Sequence, residues 1–187
     1  HMFKEFVPAQ LACLPQYTTL LPGVAEVTQQ LQKDGIRLGV STGFLRSMVD
    51  VLLADARKQG FSPDATVAGD EVVNGARPKP HMVYKNLDLM DITSIQSVVK
   101  VDDTISGVGE GLNAGCWAVG VARYSNYLNI NSIEEANSLA EIEIERRIEQ
   151  TREMLRKSGA HYVIDSIVDL PAVIDDINAR LARGERP

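Results

Sequence analysis

The chain has 187 residues, 44% of them hydrophobic, enough for one α/β domain with its own core. With 19 basic and 25 acidic residues it carries a net charge of −6 and no basic block, which argues against nucleic acid as a partner. No apolar run approaches the length of a membrane span, and Cys13 and Cys116 read as reduced core residues of a cytoplasmic protein.

Phe3, Phe6, Val7, Leu11 and Leu14 fall at helical spacing, interrupted by Pro8, and Pro15 and Pro22-Gly23 punctuate a connector. Residues 1–22 therefore form a leading segment and 23–187 the main domain. Val24 to Lys33 is an amphipathic helix stopped by Gly35. Ile36 to Val40 is a short strand, followed by Ser41-Thr42-Gly43 and a helix from Arg46 to Gln59, closed by Gly60. Ala65 to Ala68 is the next strand and Asp70 to Gly75 is turn-rich. Pro80 then opens a helix bearing Met82, Val83, Leu87 and Met90. Strands at 97–102 and 117–122 flank an alanine- and glycine-rich helix. Beyond the polar loop Ser125–Asn131, a charge-laced helical region from Ile133 to Lys157 breaks near Asn137-Ser138. Gly159, a strand from His161 to Asp165 and a helix from Leu170 to Arg183 complete the chain. Such alternation predicts an α/β fold, a Rossmann-like parallel sheet with helices on both faces.

In a parallel sheet, residues past the carboxyl end of a strand face the crevice where ligands bind. The apolar run Val98, Val99, Val101 ends there in Asp102 and Asp103. Two carboxylates offer hard oxygens to Mg²⁺, although the same residues also suit a turn and a helix cap. Thr42 follows the strand Ile36–Val40, and its hydroxyl and the following N–H groups, that of Gly43 included, suit a phosphoryl oxygen. Arg77, between a turn and a helix start, supplies a guanidinium that can neutralise a phosphoryl group, and Lys79 a point charge. A hydroxyl, a cation and a carboxylate pair on strand ends, in this order, predict phosphoryl chemistry with Mg²⁺.

These residues resemble the motifs of the haloacid dehalogenase superfamily. Ser41-Thr42-Gly43 looks like its second motif, Arg77-Pro78 like its third and Val101-Asp102-Asp103-Thr104 like its fourth. Arginine rather than lysine in the third motif is similar to the phosphonatase family. So are Glu110-Gly-Leu-Asn-Ala-Gly115 with Trp117, Gly159-Ala-His-Tyr-Val-Ile-Asp-Ser166 and Asn178-Ala-Arg-Leu-Ala-Arg-Gly-Glu-Arg-Pro187. The resemblance implies a haloacid dehalogenase-like core and Mg²⁺-dependent hydrolysis of the carbon–phosphorus bond of phosphonoacetaldehyde. In such enzymes a cap lysine forms a Schiff base with the aldehyde and an aspartate at the end of the first strand takes the phosphoryl group. By motif match, Thr42 and Gly43 would bind the phosphoryl oxygens, Arg77 would neutralise them, and Asp103, with Asp102 beside it, would ligate Mg²⁺. A homodimer acting on a small phosphonate is the implied assembly.

Three departures stand out. No segment before Ile36 matches the family's first motif, and none matches the cap segment that carries the Schiff-base lysine, so 1–22 reads as the end of a cap helix with its connector. Gly107 stands where many relatives carry a second acidic metal ligand, leaving Glu110 or water to substitute. Tyr124-Ser-Asn-Tyr127 replaces the family's Ser-Gly-Asn pattern. The chain alone is therefore expected to be inactive. The alternatives are an ordinary phosphatase or phosphomutase of the same superfamily, and a non-catalytic binding or scaffold protein. A last expectation is topological. The nucleophile strand of the superfamily lies between the strands at Ile36–Val40 and Val98–Asp102, so those two edges must pair directly, borrow a strand or take one up as a separate peptide.

Overall fold

The structure, a computed structural model, describes residues 2–130, 135 and 138–187. Helix α1 (Met2–Cys13) leads through the connector to α2 (Val24–Lys33). Then follow β1 (Gly39–Thr42), α3 (Arg46–Lys58), β2 (Ala65–Ala68), α4 (His81–Leu89), β3 (Val99–Asp102), α5 (Ile105–Ala114) and β4 (Trp117–Val121). The chain ends with α6 (Glu141–Lys157), β5 (Tyr162–Ile164) and α7 (Leu170–Ala182).

All the strand pairings are parallel, as the alternation predicts, and side chains on successive strand residues go to opposite layers. Ala118 of β4 packs with Val108 of α5 and with Ile148 and Leu155 of α6, while Val119 packs with Leu31 of α2, Ile164 and Leu170. Helices thus cover both faces. Helix α6 is dense in charge, yet the fully buried Ile148 and Leu155 fix its position. Each contributes about 1.5–3 kcal/mol, against about 0–1 kcal/mol for a surface ion pair such as Lys157–Glu153. The packing is close. A Cβ on Gly120 would sit 3.0 Å from Leu155 Cβ, and one on Gly111 of α5 2.8 Å from Lys100 Cβ of β3.

The sheet is divided. Among the described residues β1 bonds to β2, and β3 to β4 and β4 to β5, but no ladder joins β1 to β3. Direct pairing, one of the three ways of closing that gap, is thereby excluded for this structure. A side chain crosses it instead: Ser41 Oγ of β1 donates to Glu110 Oε2 of α5 at 3.0 Å, while Asn86 Nδ2 of α4 takes up the Val40 carbonyl at 3.0 Å. A cavity of about 360 Å³ opens between α2 and the carboxyl ends of β3 and β4, lined by Val24, Thr28, Phe61, Val101 and Asp103 among others.

Several boundaries differ from the sequence reading. The first strand begins at Gly39, not Ile36, and runs to Thr42. Asp64 intercepts the earlier residues, its carboxylate accepting from Leu38 N at 2.8 Å while its own N–H donates to the Leu38 carbonyl. Helix α1 runs through Pro8 rather than breaking there, with one hydrogen bond fewer. Cys13 is exposed, because the end of α1 has little of the domain against it, whereas Cys116 is a buried free thiol as expected. The expected helical break falls on Asn137-Ser138; Asn137, with Ile133, Glu134 and Ala136, lies outside the described residues.

Candidate active site

The carboxyl ends of β1 and β3 and the loop before α4 bring the expected residues to one edge. Thr42 closes β1, and its Oγ1 accepts from Phe44 N at 3.2 Å, so the chain turns tightly while the hydroxyl proton stays available to a ligand. The turn is seated on the strand end of β2. Gly69 N donates to the Phe44 carbonyl at 2.9 Å, and a Cβ on Gly69 would lie 2.9 Å from Gly43 O. Only glycine permits that approach.

Arg77 reaches across from the opposite loop. Its Nη1 donates to Asp102 Oδ2 at 2.9 Å, and its Nη2 lies 3.7 Å from where a Cβ on Gly43 would stand. One arm of the fork is thus anchored on β3 and the other faces the Thr42-Gly43 turn. The loop is held behind it: Asn113 Nδ2 donates to the Pro78 carbonyl at 2.8 Å, and Lys85 Nζ to the Glu71 carbonyl at 3.0 Å. Lys79, expected as a second cation for the ligand, instead donates to the Asn74 carbonyl at 2.6 Å and closes its own loop.

The two adjacent aspartates are in different situations. Asp102 is buried, its side chain 7% exposed, and both oxygens are engaged. Oδ2 accepts from Lys100 Nζ at 2.7 Å as well as from Arg77, and Oδ1 accepts from Thr104 N at 3.0 Å and Thr104 Oγ1 at 2.7 Å. Burial pushes its pKa up, but the Lys100 charge and hydrogen bond, Thr104 and Arg77 outweigh that and hold it below the ordinary value. Thr104, rather than either aspartate, caps α5, accepting from Gly107 N at 3.0 Å. Asp103 is placed by its main chain, whose carbonyl accepts from Ser125 Oγ at 2.6 Å. Burial, and next the charge of Asp102, push its carboxyl pKa up.

Among the described residues no cluster of three or more His, Cys, Asp or Glu is set to hold a metal ion. Of the candidate ligands Asp102, Asp103 and Glu110, Asp103 is the one whose carboxylate carries no salt bridge among the described residues. Such a donor fits a hard cation whose remaining ligands are water and phosphate oxygens. Asp102, with four donors already on it, and Glu110, fully buried against Ser41 and Lys100, are committed elsewhere.

Lys100 and Gly107 carry more of the site than the sequence reading assigned them. A Cβ on Gly107 would fall 1.9 Å from Asp102 Cγ, so the Asp102 carboxylate occupies the space that a side chain at 107 would fill. Both signals are in the sequence. Lys100 lies two residues before Asp102 and hence on the same side of the strand, and Gly107 and Gly111, four apart, mark the face of α5 that lies on β3.

Residues 3–115 match the family described as haloacid dehalogenase-like hydrolases. The phosphonoacetaldehyde hydrolase of Paraburkholderia phytofirmans is 42% identical over 186 residues, which span 100% of this chain and 69% of that protein. That of Klebsiella pneumoniae is 39% identical over the same shares. Among solved structures, a phosphonoacetaldehyde hydrolase-like protein from Oleispira antarctica superimposes with a TM-score of 0.93 at 38% identity, covering 99% of this chain and 66% of that one. The chain therefore spans about two thirds of the length of the relatives it matches.

Proposed function

The chain belongs to the haloacid dehalogenase-like hydrolases, and within them to the phosphonoacetaldehyde hydrolase family. On that footing we propose that its strand ends form the phosphoryl-binding part of an enzyme that cleaves the carbon–phosphorus bond of phosphonoacetaldehyde, yielding acetaldehyde and phosphate. The observation that carries this reading is the placement of Arg77, with one nitrogen on Asp102 and another facing the Thr42-Gly43 turn.

In this reading the Thr42 hydroxyl and the N–H groups of the turn donate to phosphoryl oxygens, and Arg77 neutralises the charge that remains. Asp102 keeps the guanidinium aimed at the turn. Mg²⁺, bound through Asp103, would offset phosphoryl charge and orient the group for attack. Residues 1–22 would be the end of a cap helix with its connector, and 23–187 the core. The acceptor carboxylate and the imine-forming lysine have no match among the 187 residues. Turnover therefore requires that both be supplied, and the chain alone does not turn over. A cytoplasmic homodimer acting on a small phosphonate completes the proposal.

Acetaldehyde release, followed through NADH consumption by alcohol dehydrogenase, tests it. The chain alone is expected to be silent, and a longer polypeptide that adds an Asp-x-Ala-Gly-Thr strand and a cap lysine to be active. In that longer form Arg77→Ala and Asp103→Ala should each remove most turnover. Ready turnover by the chain alone, or an active longer form indifferent to Arg77→Ala, would overturn the assignment.

A further inference from the structure

Behind the candidate site lies a pair of buried charges. Lys100, its side chain 11% exposed, points from β3 between two carboxylates, Asp102 Oδ2 at 2.7 Å and Glu110 Oε2 at 3.4 Å. Glu110 is fully buried on α5, and the same Oε2 accepts from Ser41 Oγ, one residue before Thr42. Its other oxygen, Oε1, is buried and finds no hydrogen-bond partner among the described residues. A buried carboxylate left half-satisfied is a poor stabilising device, since its desolvation is incompletely offset. A well-packed apolar pair of similar volume would serve stability as well or better.

What the pair does is visible in the charge count around Asp102 Oδ2. That one oxygen is shared by Lys100 and Arg77. Without Lys100, the whole Asp102 charge would fall on Arg77, and the guanidinium would be spent on an internal ion pair. With Lys100 in place the Asp102 charge is already met, and Arg77 keeps its own charge for an anion at the Thr42-Gly43 turn. Glu110 holds the lysine there, and through Ser41 ties it to the strand that carries Thr42. Gly111 is what allows the approach, because a Cβ there would strike the Lys100 stem at 2.8 Å.

We propose that Lys100 and Glu110 are positioning residues for the phosphoryl site, a buried pair that satisfies Asp102 so that Arg77 remains available to the bound anion. The proposal rests on the reading of Thr42, Gly43 and Arg77 as the phosphoryl seat.

The test uses this chain, inorganic phosphate as the probe and titration calorimetry as the readout. Lys100→Met with Glu110→Gln keeps the buried charge in balance and the volumes close. This double variant should retain the cooperative melt and the Trp117 near-ultraviolet signal of the parent. Its phosphate affinity should fall roughly tenfold, the weight of one charge-assisted hydrogen bond. Adding Asp102→Asn to that background should restore most of the affinity, because the amide oxygen left there still accepts from Arg77 and keeps its aim without drawing on its charge. A merely structural role predicts no such rescue. Affinity unchanged or raised in the double variant, or reduced and not rescued, would overturn the proposal. Arg77→Ala separates the two layers. If it leaves phosphate affinity untouched, or if the parent chain binds no phosphate, the seat itself is misassigned and the positioning claim falls with it. If it abolishes binding while the double variant does not weaken it, only the positioning claim fails.

Discussion

Gly107→Ala would insert a methyl group where the Asp102 carboxylate now sits, 1.9 Å from its Cγ. The neighbour cannot yield at small cost, because that carboxylate is buried and holds Lys100, Arg77 and Thr104. Displacing it strips two cations of their partner, and breaking a buried pair in this way costs about 3–5 kcal/mol. Against this, alanine is preferred to glycine in a helix interior by about 1 kcal/mol. The carboxylate term wins, leaving a net loss of about 2–4 kcal/mol. For a chain of this size that lowers Tm by about 4–16 °C, at about 2–4 °C per kcal/mol. Asp102→Gly removes the obstacle, so Gly107→Ala should be neutral or mildly stabilising in that background. A double-mutant cycle by urea denaturation would read the coupling, expected at about 2 kcal/mol or more. Additive effects within about 0.5 kcal/mol would show that Asp102 does not occupy the space beside Gly107.

Three other outcomes are expected. His161 Nδ1 accepts from Ala118 N at 2.9 Å, and burial, with the Arg180 charge next, depresses its pKa below the usual value of about 6.5. The neutral ring is thus the folded form: stability is whole above about pH 6.5 and falls as pH drops below it. Urea melts between pH 7.5 and 5 should show that loss in the parent and not in His161→Gln, and parallel pH profiles would refute it. Mg²⁺ should bind the chain only weakly, since Asp103 is the one candidate ligand without a salt bridge among the described residues, and submicromolar affinity by calorimetry would mean that the ligands are misassigned. The unladdered edges of β1 and β3 should drive association, so light scattering should find a dimer or larger species. A monomer at every concentration, melting like an ordinary intact domain, would contradict this.

Much of the fold was legible because its signals are local. Turn glycines at 35, 60 and 159 have positive φ, and each marks the end of a helix as the sequence implied. Alternation of helix and strand gave the parallel architecture. What local signals do not encode is competition for a segment. Residues 36–38 have the composition of a strand, but Asp64 takes the Leu38 hydrogen bonds and Leu31 that of Ile36 N, so the strand starts at Gly39. Thr42, Arg77, Asp102 and Asp103 do meet at one edge, as their order on successive strand ends suggests. Their division of labour was not readable. Adjacent aspartates look equivalent in a sequence, and only the structure shows that Asp102 is held by Lys100 and Arg77 while Asp103, without such a pair among the described residues, lines the cavity beside α2. The sequence leaves Glu110 or water to substitute for the acidic ligand absent at Gly107. The pitch of α5 carries Glu110 to Ser41 and Lys100 instead.

The central claim is that the Thr42-Gly43 turn and Arg77 form one anion seat. Titrating inorganic phosphate into uniformly ¹⁵N-labelled chain, with the Gly43 and Phe44 amides and the Arg77 guanidinium followed by NMR, tests it most directly. Saturable shifts at these signals with a common midpoint, lost in Arg77→Ala, are the predicted result; shifts confined to other residues, or persisting unchanged without Arg77, would contradict it.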